Sequence, residues 1–147
     1  MKKQGFTLVE LVIVIIIVGI LSIVAVPIYR SYTLKAIGTE GKALMGAIAS
    51  AQQVHYTEYG NFQALTKTAT DKKFGVDAKA NKFFREFTIE TRKMGVNNGW
   101  TATTVGAEGT KAAGLTVQMS ANDYLPNDTT LWIVDSTGDT VDSWVHF

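Results

Sequence analysis

From Leu11 to Ile28 the chain runs for eighteen residues without a charge, almost all Ile, Val and Leu. At 1.5 Å rise per residue, a helix of that length is roughly as long as a bilayer's hydrocarbon core is thick, so the segment can span a membrane. Lys2 and Lys3 precede it. The excess of basic residues on the cytoplasmic side of membrane helices places that end inside and everything after Arg30 across the membrane. These residues add almost nothing to a soluble core, so a chain of 147 residues reads as one membrane segment and one small globular head.

One acidic residue, Glu10, stands at the start of this run. A charge at the centre of a bilayer helix costs roughly 2.5 to 3.5 kcal/mol, and near the end it still needs a partner or a path to water. An ordinary secretory signal does not account for the segment. The apolar run is longer than the usual 7 to 15 or so residues, and Ala25-Val26 leads into Pro27 without a small-x-small cleavage site. The other available boundary lies before the run, at Gly5-Phe6.

The stretch KKQGFTLVELVIVIIIVGILSIVAVPIY resembles the class III signal of type IV pilins and type II secretion pseudopilins, which has a short basic leader, a glycine, then Phe-Thr-Leu-x-Glu and an unbroken apolar run. Gly5, Phe6, Thr7, Leu8, Glu10, Gly19 and Pro27 carry the likeness. It is detailed as far as Arg30 and only architectural beyond. The resemblance implies that a prepilin peptidase cuts between Gly5 and Phe6, removes residues 1–5 and N-methylates Phe6, and that Glu10 supports methylation and assembly. The physics fits that role. A new α-ammonium on Phe6 is largely charged at neutral pH, and in an apolar fibre core it would meet the Glu10 carboxylate of a neighbouring subunit. Removing either partner would strand the other, at a cost of order 3 to 5 kcal/mol. Gly19 and Pro27 weaken the helix between them, because proline lacks the N–H of the helical ladder and glycine is a poor helix former. Within the family the same stretch loses regularity in the fibre. The plainer reading is that both residues are simply common in membrane helices.

Beyond Arg30 the pattern becomes amphipathic. Leu34, Ile37, Gly41, Leu44, Ile48, Ala51 and His55 recur at helical spacing, and Gly60 is a good left-handed stop. One helix is expected from about Phe6 to Tyr59, roughly 80 Å long. Gly38, Gly41 and Gly46 suggest the close approach of another backbone. Residues 60–83 read as a polar, lysine-rich loop. FREFTIETR (84–92), GWTATTVG (99–106), LTVQMS (115–120) and TLWIVDSTG (130–138) read as period-two strands in an antiparallel meander. The expected class is α+β, the pilin fold, with about four strands at 84–147 against the amphipathic half of the helix.

Charge is unevenly spread. Lys67 to Lys93 holds eight basic against four acidic residues, and Glu108 to Phe147 holds six acidic against one basic. These are two solvated faces or, if subunits stack, complementary patches that set register. Nucleic acid is an unlikely partner, since the basic stretch has few aromatics besides Phe83, Phe84 and Phe87.

There is no cysteine, so neither a disulfide nor a thiolate site is available. Many pilins close the carboxy-terminal region with a disulfide, and this departure keeps minor pilins and pseudopilins in contention. His55 and His146 are the only histidines and have no metal-ligand spacing, and His55 reads as a packed residue on the inner helix stripe. Asp135, Asp139 and Asp142 offer oxygen ligands of the kind some pseudopilins use for calcium. They lack the spacing of a specific calcium loop and suit turn chemistry better. Tyr29, Tyr32, Tyr56 and Tyr59 read as interfacial and packing residues rather than a conduction path.

The combined expectation is a non-enzymatic subunit with a leader at 1–5, an apolar membrane and filament-core helix at 6–29 and a head at 30–147. No cofactor is expected. The implied partners are further copies in a helical homopolymer, the prepilin peptidase and methyltransferase, the inner-membrane assembly machinery and, before assembly, lipid. The subunit would sit in the inner membrane and then in an extracellular pilus. The alternatives are a pseudopilin or minor pilin of a secretion or DNA-uptake machine, and a single-pass membrane-anchored binding domain.

Overall fold

A computed structural model describes residues 5–94, 97–122, 125–135, 137, 138 and 140–146. In chain order the elements are α1 (Leu8–Tyr59), β1 (Leu65–Thr68), β2 (Thr70–Asp71), β3 (Val76–Asp77), β4 (Phe87–Met94), β5 (Asn97–Val105), β6 (Thr116–Asn122), β7 (Leu125–Val134) and β8 (Thr140–His146). This is the expected α+β layout. The chain divides into two compact units, Met1–Thr33 and Leu34–Phe147.

In the first unit every residue from Leu8 to Tyr32 is helical and exposed. Two hydroxyls on this part of the helix turn back on it: Ser22 Oγ donates to the Val18 carbonyl at 2.7 Å and Thr33 Oγ1 to that of Tyr29 at 2.8 Å. Their polarity is thereby met locally, as an apolar surround requires. Pro27 lies inside the helix, and because it has no N–H the carbonyl one turn back receives no backbone donor from it.

In the second unit six strands form one antiparallel sheet in the order β1-β4-β5-β6-β7-β8, and β2 and β3 form a separate two-stranded hairpin. The sheet has more strands than the four expected. β1 falls in the segment read as loop 60–83. It has only four residues, with Thr-Lys-Thr giving no apolar alternation, and it joins β4 through a bulged register, Leu65 opposite Ile89 and Thr68 opposite Phe87. β8 was not expected as a separate strand, since Asp142 and Ser143 interrupt its apolar pattern, yet it pairs with β7 from Thr140 to His146.

Period-two alternation decides which side of the sheet is covered. Ile89, Ala102, Met119 and Leu131 are register partners across four neighbouring strands, as are Phe87, Thr104, Val117 and Ile133, and all eight are buried. The amphipathic stretch of α1 supplies the opposing layer with Ile37, Leu44, Met45 and Ile48. Each large apolar side chain so buried contributes about 1.5 to 3 kcal/mol.

Gly38 and Gly41 lie at the closest part of this contact. A Cβ on Gly38 would come within 2.5 Å of Ile133 Cδ1, and one on Gly41 within 2.6 Å of Val117 Cγ2 and 3.2 Å of Phe84 Cε2. The close approach expected of the helix glycines is therefore to sheet and loop side chains rather than to another backbone. Gly46 does not share it, having open space around it. The helix stops where the sequence predicts: Gly60 takes φ +69° and returns its N–H to the Tyr56 carbonyl at 2.8 Å.

Candidate functional site

Gly5, Phe6, Thr7 and Glu10 follow one another across the entry to α1. Gly5, Phe6 and Thr7 are exposed, non-helical backbone immediately ahead of α1. Nothing approaches within 4 Å of the position a Cβ would take on Gly5. The Gly5-Phe6 peptide bond therefore lies in accessible, irregular chain, the form a peptidase can bind. Phe6 itself is 78% exposed.

Glu10 has partners in its own chain. Its Oε2 accepts from the Thr7 backbone N–H at 2.9 Å and from Thr7 Oγ1 at 2.6 Å, and the Glu10 N–H donates to Thr7 Oγ1 at 3.3 Å. This reciprocal arrangement is a capping box, with Thr7 as the N-cap and Glu10 three residues on, and it satisfies N–H groups that the first turn of a helix leaves free. The Thr-x-x-Glu spacing that encodes it is plain in the sequence. For Glu10 the resemblance implies a role in methylation and in pairing with a neighbouring subunit; the structure adds this local role within its own chain.

Beyond the box, every Ile, Leu and Val up to Ile28 is exposed. Among the described residues this is the one helix long and apolar enough to cross a membrane, with a best-window mean hydropathy of 3.3. Gly19 and Pro27 lie on the same helix about 14 and 26 Å beyond Glu10. They are placed with the site but not within contact of it.

The head holds three polar anchors that the sequence reading missed. Gln52 is fully buried, its Nε2 donating to the Gln63 carbonyl at 2.7 Å and its Oε1 accepting from the Gln63 N–H at 2.9 Å. The segment after the helix is thereby tied back onto it. Glu40 accepts from three successive backbone amides, those of Lys82 (3.1 Å), Phe83 (2.6 Å) and Phe84 (2.9 Å). Thr104 Oγ1, also buried, donates to the Glu86 carbonyl at 2.6 Å. A buried glutamine on an otherwise apolar helix stripe was the available signal for the first; nothing in sequence marked the other two.

His55 is half-buried. Its Nδ1 lies 2.8 Å from the Asn61 carbonyl oxygen, which can only accept, so Nδ1 carries the hydrogen, and its ring lies against Tyr59 with centroids 4.6 Å apart. Tyr56 stacks on Phe62 at 4.7 Å. Tyr29 and Tyr32 are exposed. His55, Tyr59, Glu58, Asp71 and Lys73 border a cleft of about 540 Å³ between the end of α1 and the β2–β3 turn. Asp135 Oδ1 accepts from the N–H and hydroxyl of Thr137 in the turn after β7. Asp139, the side chains of Asp142 and His146, and residues 1–4 lie outside what is described. Among the described residues no group of three or more His, Asp or Glu is arranged to hold a metal.

A family model of the prokaryotic N-terminal methylation motif matches residues 1–26, the segment that holds Gly5, Phe6 and the capping box. The chain is 33% identical over 125 residues to the fimbrial protein EcpC of Eikenella corrodens, an alignment covering 82% of this chain and 77% of that one. The chain belongs to the type IV pilin family. Other members align over shorter stretches. The type IV major pilin PilE1 of Neisseria gonorrhoeae is 38% identical over 88 residues, which is 60% of this pilin and 48% of that relative. A fimbrial protein of Neisseria meningitidis serogroup B is 45% identical over 67 residues, 46% of this pilin and 39% of that relative. The pilin therefore spans about half or less of the Neisseria proteins it matches and most of the Eikenella one.

Proposed function

We propose that this chain is the structural subunit of a type IV pilus. A peptidase removes residues 1–5 at Gly5-Phe6 and Phe6 is methylated. Residues 6–29 hold the subunit in the inner membrane until the assembly machinery polymerises it through that helix, and the head at 30–147 forms the fibre surface. The observation that carries this reading is an apolar helix exposed on every side from Leu8 to Tyr32 with a single carboxylate, Glu10, in its first turn. Lipid covers such a surface in the membrane, and other copies of the same helix can cover it in a fibre. A heterologous contact repeated without closure gives a helical polymer of that kind. The matched methylation motif and the fimbrial and major-pilin relatives support the same reading. It assigns no cofactor to the head, so a chelator should leave the head's melting temperature unchanged.

Two measurements test it together. Mass spectrometry of the purified protein is expected to show loss of residues 1–5 and one methyl group on Phe6, while electron microscopy of sheared cells shows filaments. An intact, unmethylated amino terminus would replace this reading with a membrane-anchored binding domain. Glu10→Gln is expected to insert normally but to yield little sheared fibre, and wild-type fibre amounts from it would remove Glu10 from assembly. The absence of any cysteine favours a pseudopilin or minor pilin as the second reading. Abundant surface fibre made of this chain decides against it.

A further inference from the structure

We propose that the face of the sheet turned away from α1 binds a neutral oligosaccharide. The indole of Trp132 is the platform for one sugar ring, and a row of amide and hydroxyl side chains supplies the hydrogen bonds. The proposal does not depend on the filament reading.

Alternation builds the surface. Thr88, Thr103, Gln118 and Trp132 are register partners across β4, β5, β6 and β7, and Thr101, Ser120 and Thr130 are partners in the next row along. All seven are half-buried, whereas their sequence neighbours on the side facing α1 are buried. With strands about 4.8 Å apart, the row of four is about 14 Å long, enough for a short oligosaccharide laid across the strands.

Charge narrows the choice of ligand. From Thr101 to Val105 on β5, Thr116 to Ser120 on β6 and Thr130 to Val134 on β7 there is no charged residue. Such a face has nothing to attract a polyanion or a charged peptide. It offers hydrogen bonds instead. Gln118 Nε2 donates to Thr103 Oγ1 at 3.3 Å, and Thr88 Oγ1 donates to the Thr103 carbonyl at 3.4 Å. Gln118 Oε1, the hydroxyls of Thr101 and Ser120 and the Trp132 indole N–H have no partner among the described residues, and since none of the unpaired side-chain N or O atoms described is buried, they reach solvent. Donors, acceptors and one open aromatic ring in a single plane suit a ligand with hydroxyls on its rim and C–H groups on its faces, and a pyranose ring is built that way. Tryptophan suits the contact, with a broad apolar ring and one polar edge.

A cleft at one end of the row points to the same class of ligand. Thr88 and Thr103 also line a cavity of about 590 Å³ bordered by Lys67, Arg85, Glu86 and Glu108, a volume in the range of small-molecule sites. Its charges are matched. Lys67 Nζ lies 2.8 Å from Glu86 Oε2, and Arg85 Nε donates to the Asn81 carbonyl at 3.2 Å. Two cations and two carboxylates leave no net charge to hold an ion, while their planar edges can meet adjacent pairs of sugar hydroxyls.

The test uses the full-length chain in a detergent without a sugar headgroup, with cellotriose, maltotriose and tri-N-acetylchitotriose as probes at millimolar concentration. Saturation-transfer NMR is expected to mark the ring protons of at least one of them. Trp132→Ala should weaken binding of that probe about tenfold, and Gln118→Ala about threefold. Near-ultraviolet circular dichroism establishes that each variant is folded. If Trp132→Ala is not, Gln118→Ala with Ser120→Ala decides, since neither side chain is part of the core. Absence of transfer to all three probes overturns the proposal, as does equal binding by the folded variants. Binding of sialyllactose in place of the neutral sugars overturns it too, because an anion site would then be present. So does concentration-dependent self-association that Trp132→Ala abolishes while no sugar binds, because a second copy would then cover the face. None of these outcomes touches the filament reading, which rests on the processed amino terminus and the sheared fibre.

Discussion

Glu40 is the most exposing single test of how the head holds its loop. Its carboxylate takes three consecutive amides, at 3.1, 2.6 and 2.9 Å, from a segment more than forty positions away in sequence, and the last of these belongs to the fully buried Phe84. Hydrogen bonds to a charged acceptor contribute about 1.5 to 3 kcal/mol each when well shielded. Glu40 is only half-buried, so its amides can partly rehydrate once it is gone, and the three bonds together come to about 3 kcal/mol rather than three times the single value. For a head of this size each kcal/mol moves the melting temperature by about 4 °C. Glu40→Ala should therefore melt about 12 °C below wild type. Glu40→Gln, which keeps one acceptor oxygen without the charge, should fall between. The assay is thermal unfolding of the full chain in detergent, read by near-ultraviolet circular dichroism, with Trp100 as the buried reporter. A Glu40→Ala melt within about 2 °C of wild type would refute the reasoning and leave the loop held by Phe84 packing alone.

Three further outcomes follow from the head. Gly41→Ala should destabilise it by about 1 to 3 kcal/mol through the clash with Val117 and Phe84, whereas Gly46→Ala, five residues on in open space, should stabilise it by about 0.5 to 1 kcal/mol; the same melt reads both, and equal signs would contradict the packing described. Gln52→Leu should cost about 2 to 5 kcal/mol, because it leaves both the N–H and the carbonyl of Gln63 without their buried partner, and faster amide exchange at Gln63 by hydrogen-exchange mass spectrometry would mark the cause. The Asp77 carboxyl is held below its ordinary value of 3.8, first by the Lys79 N–H and then by Thr70 Oγ1, so the tie it makes in the β2–β3 hairpin is fully present above that value and is lost as pH falls through the lower folded pKa; an NMR titration in which Asp77 protonates at or above 3.8 would refute this.

Much of this molecule is legible from periodicity. The helix and its Gly60 stop, and the four strands with clean alternation at β4 to β7, follow from patterns that local physics enforces. β1 and β8 do not, for different reasons. Four residues as polar as Leu-Thr-Lys-Thr become a strand only because β4 offers a free edge, and β8 is drawn into the sheet by β7 despite its aspartate and serine. The amino-terminal site shows the same division. Gly5, Phe6 and Glu10 announce themselves by spacing, and Thr7 was legible as a cap but overlooked. Glu40 and Gln52 act on backbone groups, which carry no sequence signature, so their partners appear only once the chain has folded.

The capping box at Thr7 and Glu10 bears on reversibility. A carboxylate already satisfied at home does not drive association by relieving its own isolation; it exchanges one set of donors for another. The free energy of such an exchange is a difference between two similar terms, so on the filament reading the net gain from seating Glu10 would be smaller than the cost of stranding its partner when Glu10 is removed. On that reading, withdrawal would return the carboxylate to Thr7 rather than leave a bare charge in lipid. On the filament reading proposed above, a subunit built this way would be able to leave as it came and be used again.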